Sequence, residues 1–396
     1  MESGRPDKWI EINLDAVESN LQAVRSLLQE QTRLIAVVKA DAYGHGAAET
    51  ARLLSVHGVD YFAVSFFKEA LQLRQAAITG GILVFTPLVE EDELREAISL
   101  DLTITVASPY DGELLNRVCV QPGPEVNVHL KLDTGLGRFG LQEEEVMEVV
   151  AKITQNPRIN VEGIYTHMAD AADNPAYTRH QFAIFMDIVH KLETSGLHIP
   201  LRHCANSAVL LKYPEMQLDA VRVGTLLSGQ KPVGAGGFDL ALEDPFKFKT
   251  KIVALHRLEK GSYLAYYRSY RLKKAAQIAV IPVGFRDGLG LQVANKPSGW
   301  VDLLKTLVKT ILLFCNVPRF GQQVNINGIN YPVRGKVFMQ MALVEIPLER
   351  QVSIGDQVEV PVRKTLAFPD VAHVYLQHGE VVNFSTKEGG SGFLVE

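Results

Sequence analysis

The stretch Tyr61–Ala107, YFAVSFFKEALQLRQAAITGGILVFTPLVEEDELREAISLDLTITVA, decides the fold. Three short apolar, β-branched runs (Tyr61–Phe66, Gly81–Thr86 and Leu102–Ala107) are separated by helical periodicity at Phe67–Ala76 and Asp92–Leu100. Runs without polar alternation are buried on both faces, and helices joining them make the sheet parallel. The rhythm extends both ways. Leu34–Lys39 precedes it, and Val126–Asp133, Val161–His167, Pro200–Ala205 and Ala220–Gly224 follow, with helical patterns at Ala47–Ser55, Glu143–Ile153 and Arg179–Thr194. Eight such runs suit an α/β fold of the (β/α)8 TIM barrel type better than an open, doubly wound sheet.

Upstream, Trp9–Leu14 alternates as a strand, and Asp15 reads as the N-cap of a helix carrying Val17, Leu21, Val24 and Leu28. Downstream, Gln230–Phe246 is rich in Gly and Pro and reads as a linker. Strands and turns then alternate at Lys247–Arg257, Ser262–Tyr267, Gln277–Val283, Gln323–Ile326, Tyr331–Val333, Val337–Ile346, Gln357–Val362 and His373–Leu376, with an Asn327-Gly328 hairpin signal. The expected organisation is a cofactor-binding barrel over residues 1–235 and a mainly β C-terminal domain over residues 236–396, with which the strand at about 8–14 can pack. Asp302–Cys315 reads either as a helical insertion or as a strand pair.

The 396 residues are 47% apolar and 21% charged, a globular composition. A net charge of −5 argues against nucleic acid or an acidic membrane as partner. Cys119, Cys204 and Cys315 are odd in number and far apart, which fits a reduced, cytoplasmic protein. The opening MESGRPDKWIEINL has no signal-like apolar stretch. Val301–Phe314 is interrupted by Lys305 and Lys309 and is too short to span a bilayer.

Polar residues gather at the carboxyl ends of the apolar runs: Lys39, Lys131, Asp133, His167, His203 and Arg222. In a barrel that end carries the chemistry. A lysine there, within VVKADAYGHG (Val37–Gly46), is depressed in pKa by burial and becomes the neutral nucleophile that Schiff-base chemistry with a carbonyl cofactor requires. Gly44 and Gly46 allow close backbone approach to a ligand, and VRVGT (Val221–Thr225) offers the Gly224 and Thr225 amides for a phosphate. A phosphate handle beside an aldehyde-trapping lysine points to pyridoxal phosphate.

With these motifs the chain resembles the alanine racemase family, pyridoxal-phosphate enzymes of the barrel type. The resemblance implies that Lys39 of VVKADAYGHG bonds the cofactor and that Tyr43 reaches its phosphate. KLDTGLGRFG (Lys131–Gly140) resembles the family's KxDTGMGRxG, implying a carbamylated Lys131 that holds Arg138 toward the substrate. YTHMA (Tyr165–Ala169) supplies His167 beside the ring. HCANSAV (His203–Val209) supplies His203, which orients the arginine, with Asn206 and Ser207 near the phosphate; VRVGT supplies Arg222, Gly224 and Thr225. Arginine is effectively always protonated, so Arg222 at the ring nitrogen keeps that nitrogen unprotonated and the cofactor a weaker electron sink, which favours racemisation over transamination or decarboxylation. The implied reaction interconverts L- and D-alanine, a small amino-acid substrate, with two bases on opposite faces. One is Lys39. The other is a tyrosine from the second subunit of a homodimer, matched by Tyr267 in SYLAYY (Ser262–Tyr267); strand alternation sets Tyr263 and Tyr267 on one face and Tyr266, the fallback, on the other. No metal is implied.

The β half departs from the family. GFRDG (Gly284–Gly288) has Phe285 for a tyrosine, Leu291 stands where an arginine is usual, and GKVFMQM (Gly335–Met341) keeps Met339 near the substrate but has Phe338 and Gln340 for a small residue and an aspartate. PVRKTLAFP (Pro361–Pro369) has no counterpart of a further tyrosine. These changes leave open a racemase of another amino acid, or a non-catalytic cofactor-binding homeostasis or sensor protein. The β domain and Tyr267 argue against a single-domain homeostasis protein, and Arg222 argues against a decarboxylase.

Overall fold

The structure is a computed structural model that describes residues 6–120, 122–232, 238–291, 299–314, 321–366, 371–386 and 390–392. Cys315 and parts of the linker and of Pro361–Pro369 lie outside the described residues. The chain divides into two units, Leu14–Pro245 and the pair Met1–Asn13 with Phe246–Glu396.

Strand β1 (Lys8–Asn13) belongs to the second unit. In the first unit each of the eight apolar runs forms a strand: β2 (Arg33–Val37), β3 (Tyr61–Val64), β4 (Gly81–Val84), β5 (Thr103–Val106), β6 (Val126–Lys131), β7 (Ile159–Tyr165), β8 (Leu201–His203) and β9 (Ala220–Val223). They pair in parallel in the order β8-β7-β6-β5-β4-β3-β2-β9. Backbone bonds from Asp219 N–H to the Arg202 carbonyl (3.2 Å) and from Arg222 N–H to the Ala205 carbonyl (2.9 Å) bridge β8 and β9, so the barrel is nearly closed.

Two joining helices open on a side-chain cap followed by proline, Ser108 before Pro109–Val118 and Asn174 before Pro175–Thr194. The second therefore begins before Arg179, where the apolar periodicity first becomes visible. The first helix spans Leu14–Arg25, which corrects the reading of Asp15 as its N-cap; Asp15 sits in the first turn, where its charge suits the helix dipole. The linker is tied down where it is described. The buried Asn20 amide donates to the carbonyls of Leu227 (3.2 Å) and Glu243 (2.8 Å), and its oxygen accepts from Glu243 N–H (2.8 Å).

Inward positions alternate along the strands, and Ile35, Val37, Tyr61, Ala63, Leu83, Tyr165 and Ala220 form one buried cluster with Phe85 and Leu201 packed against it. The same parity carries Arg222, His203, His129 and Lys131 inward, so polar side chains also enter the barrel.

The second unit is β-rich. Strands β10 (Phe246–Lys251), β11 (Ala254–Leu258), β12 (Tyr263–Leu264), β13 (Tyr270–Arg271), β14 (Ala276–Ile281), β15 (Gln323–Ile326), β16 (Ile329–Pro332), β17 (Ala342–Pro347), β18 (Gln357–Glu359), β19 (Ala372–Gln377), β20 (Glu380–Thr386) and β21 (Gly390–Gly392) accompany β1. The main sheet runs β16-β15-β18-β10-β1-β19-β20-β21, and β11-β14-β17 form a smaller one. Asn327 and Gly328, both at positive φ, turn the β15–β16 hairpin. The segment with two readings is a helix, Trp300–Phe314. The strand argument for Tyr263, Tyr266 and Tyr267 is corrected: β12 stops at Leu264, Ala265 has φ of 59°, and Tyr266–Arg268 is a tight turn.

Candidate active site

At the carboxyl end of the barrel strands a cavity of about 290 Å³ is lined by Lys39, Tyr43, Arg138, His167, Asn206, Ser207, Arg222, Gly224 and Thr225, with Val37, Phe85 and Tyr165 among the remaining walls. The sequence-predicted barrel residues thus converge, apart from Lys131 and His203, which lie beneath the lining.

Lys39 lies two residues past the end of β2, after Val38, and opens an unusual turn. Ala40, Asp41, Ala42 and Tyr43 have φ between 51° and 59°, a run of left-handed residues without glycine, before Gly44 (90°) and Gly46 (84°) carry the chain on. Each such residue costs roughly 1–2 kcal/mol. The turn is held from outside: the Glu69 carboxylate accepts from the backbone N–H of Ala40 (2.6 Å), Ser65 (2.8 Å) and Phe66 (3.0 Å), while Asp41 accepts from Ala47 N–H (2.8 Å). Burial, then the Arg138 cation, pull the Lys39 amine below the ordinary lysine range, opposed by Glu69 and assisted by Arg222. Its amine has no hydrogen-bond partner among the described residues.

Arg222, fully inside the barrel, donates through Nη1 to His203 Nδ1 (2.8 Å) and the His203 carbonyl (2.7 Å), and through Nη2 to the carbonyls of Thr166 (2.7 Å) and Cys204 (3.3 Å). None of these partners is a carboxylate. Burial lowers its pKa to about 10, which still leaves it a cation at neutral pH. Because His203 Nδ1 accepts, its Nε2–H donates to His129 Nδ1 (2.9 Å), and His129 Nε2–H donates to Glu162 (3.1 Å). Tyr61 hydroxyl also donates to Glu162 (2.7 Å). The chain of bonds sets both imidazole tautomers and the arginine's plane. Burial, followed by the Arg222, Arg138, Lys131 and Lys39 cations, drops His167 to about 3, so it works as a neutral imidazole.

Lys131 closes β6, is buried, and donates to the Leu132 carbonyl (2.6 Å). Burial, then Arg222, bring its amine to about 7. Arg138 stands exposed at the cavity, its guanidinium 4.9 Å from the Phe139 ring. Asn206 caps the short helix Ser207–Lys212 through bonds from Ala208 and Val209 N–H (3.0 and 3.1 Å), so its oxygen is committed to the backbone. Gly224 permits the approach of Tyr43: a Cβ there would lie 2.5 Å from the Tyr43 hydroxyl oxygen, a hydroxyl whose pKa burial raises to about 12.

Family models match both units: the alanine racemase N-terminal domain over residues 12–232 and the C-terminal domain over 246–377. Alanine racemase 1 of Oceanobacillus iheyensis is 35% identical over 346 residues, 86% of this chain and 84% of that one. The chain belongs to the alanine racemase family. Among solved structures, alanine racemase of Clostridium difficile 630 superposes with a TM-score of 0.85 at 28% identity, covering 97% of this chain and 99% of that one. That of Bacillus anthracis, solved with bound L-Ala-P, gives 0.81 at 25% identity over 98% and 99%.

In this alanine racemase fold the sequence reading overlooked the polar layer beneath the cavity: Tyr61, Thr103, His129 and Glu162. A signal existed. His129 has the inward parity of Lys131, and the Glu-Gly pair in VEGIY interrupts an apolar strand. Glu162 is the extra residue of a β-bulge, where Val128 pairs with Val161 and His129 with Gly163. Gly163 is required there, since a Cβ would sit 2.6 Å from the His129 imidazole. Tyr267 and Met339 belong to the other unit and are 87% and 58% exposed. Lys336 lies 4.3 Å from the Tyr267 ring centroid, and Phe338 packs edge-on against Tyr266 (4.9 Å).

Proposed function

We propose that the chain is a pyridoxal-phosphate-dependent racemase acting on alanine, with Lys39 and Tyr267 as its two acid/base groups and active sites shared between subunits of a homodimer. The observation that carries the reading is the pairing, in one cavity, of an amine depressed by burial at Lys39 with a buried arginine that has no acidic partner at Arg222. Pyridoxal phosphate, when bound, makes the α-hydrogen of an amino acid acidic. The residues fit that cofactor. Lys39 would hold its aldehyde carbon, Arg222 would face its ring nitrogen, and Ser207, Gly224, Thr225 and the Tyr43 hydroxyl would hold its phosphate, with Asn206 ordering the Ser207 turn.

Lys39, its pKa lowered by burial and by the Arg138 cation, gives or takes the α-proton on one face of the substrate. Tyr267 of a neighbouring subunit serves the other face, and His167, neutral at a pKa of about 3, offers a hydrogen bond beside the reacting groups without adding charge. Arg138 and Met339 would contact the substrate. Lys131, near-neutral and buried, suits carbamylation, since only an unprotonated amine adds carbon dioxide; the resulting anion would draw in Arg138. The buried free thiols Cys119 and Cys204 support a reducing, cytoplasmic setting.

The purified protein should be yellow and should racemise alanine, and Lys39→Ala should lose both. A colourless wild type that takes up no cofactor would refute the reading. Mixing inactive Lys39→Ala with inactive Tyr267→Phe should restore one good site per mixed dimer; no recovery after verified subunit exchange argues against a tyrosine supplied in trans. Intact-mass analysis should find one carbon dioxide adduct, absent from Lys131→Ala. Phe285, Phe338 and Gln340 favour a second reading, a different amino acid as substrate, so the assay covers a panel.

A further inference from the structure

The helix Trp300–Phe314, inserted between β14 and β15, has no part in the chemistry above, yet its apolar face is exposed wherever its side chains are described. Trp300, Leu304, Leu307 and Ile311 share that face and are 86%, 62%, 51% and 59% exposed. Asp302, Lys305, Thr306, Lys309 and Thr310 make up the opposite side. Fifteen residues extend about 22 Å, and a face about 10 Å wide offers on the order of 200 Å². A stable protein partner takes about 800 Å² from each side, so the helix alone falls short of a dimer interface. A bilayer surface needs no shape-matched partner. The charge also reverses locally: the chain carries −5, but the helix has Lys305 and Lys309 against the single Asp302.

We propose that this helix lies in the surface of an acidic lipid bilayer, its apolar face among the acyl chains and its lysines reaching the phosphate headgroups. The whole-chain charge argued against such a partner because it averages over a surface on which one short element differs. Apolar burial supplies the grip, and the two lysines select acidic lipid. No helix among the described residues is long and apolar enough to cross the membrane, so the contact is peripheral.

The chain supplies its own probe. Of its two tryptophans Trp9 is fully buried and Trp300 is 86% exposed, so a change in emission on binding reports Trp300. The full-length protein should co-sediment with phosphatidylcholine vesicles containing phosphatidylglycerol, with a blue shift that Trp300→Phe abolishes. Leu304→Glu/Ile311→Glu should weaken binding at least tenfold, and Lys305→Glu/Lys309→Glu severalfold, with racemase activity unchanged. Should the first variant misfold by circular dichroism, the lysine pair and the wild-type emission carry the test. Absence of both sedimentation and blue shift overturns the proposal, as does equal affinity for pure phosphatidylcholine. It is also overturned if light scattering finds an assembly that Leu304→Glu/Ile311→Glu disperses while lipid is ignored, since a second copy would then cover the face.

Discussion

Arg222 is a cation inside the barrel whose charge is spread over three carbonyls and one imidazole rather than cancelled by an acid. The arrangement depends on His203 and His129 staying neutral, and burial lowers the pKa of both. His167 falls to about 3 for the same first reason. The unfolded chain, with histidines near 6.5, therefore binds protons that the native state refuses. This contribution to stability is complete above about pH 6.5 and is lost as pH falls toward about 3. Urea midpoints should drop over that window, and His203→Gln, neutral throughout, should flatten the drop; an unchanged slope would count against the histidines. At Glu162 a glutamine still accepts from Tyr61 and His129, so Glu162→Gln should be mild, whereas Glu162→Leu should cost about 1–3 kcal/mol for each donor left unpaired. Lys39 and Arg222 were legible because each stands out from an apolar run. His129 and Glu162 left only a weak signal, the inward parity of His129 and the Glu-Gly break in VEGIY, because a polar residue within a strand otherwise reads the same whether it faces a partner or solvent.

At the level of elements, two irregularities place the site. The bulge in β7 turns Glu162 onto His129, and Gly163 makes room for the imidazole. Gly163→Ala should destabilise the protein by about 1–3 kcal/mol through overpacking, read as a fall in denaturation midpoint; a neutral substitution would mean that the imidazole moves freely. The left-handed turn after β2 stores strain that Glu69 and Asp41 hold in place. Ala40 is exposed in that turn, so Ala40→Gly removes roughly 1–2 kcal/mol of strain against about 0.5–1 kcal/mol of added unfolded-state entropy. The midpoint should rise slightly, and a fall would show the turn to be unstrained. Neither feature follows from periodicity: propensity assigns no run of left-handed residues without glycine, and a bulge shifts register without changing composition.

At the scale of the whole molecule, all the described residues lining the cavity come from Leu14–Pro245. That unit expressed alone should bind pyridoxal phosphate and turn yellow while failing to racemise, for want of Tyr267. A folded but colourless fragment would show that the second unit is needed for binding. The barrel could be read from sequence because burial on both faces imposes apolar runs that local composition records, and the cofactor motifs because their residues are contiguous. Other features rest on contacts distant in the chain. These are the pairing of β1 with β10 and β19, the capture of the linker by Asn20, the relay from Arg222 to Glu162, and the bare face of Trp300–Phe314. Sequence by itself determined which segments are buried and which side chains carry chemistry; tertiary structure alone decided what each buried polar group bonds to, because a hydrogen-bond partner is chosen by position in space and leaves no mark on its neighbours in the chain.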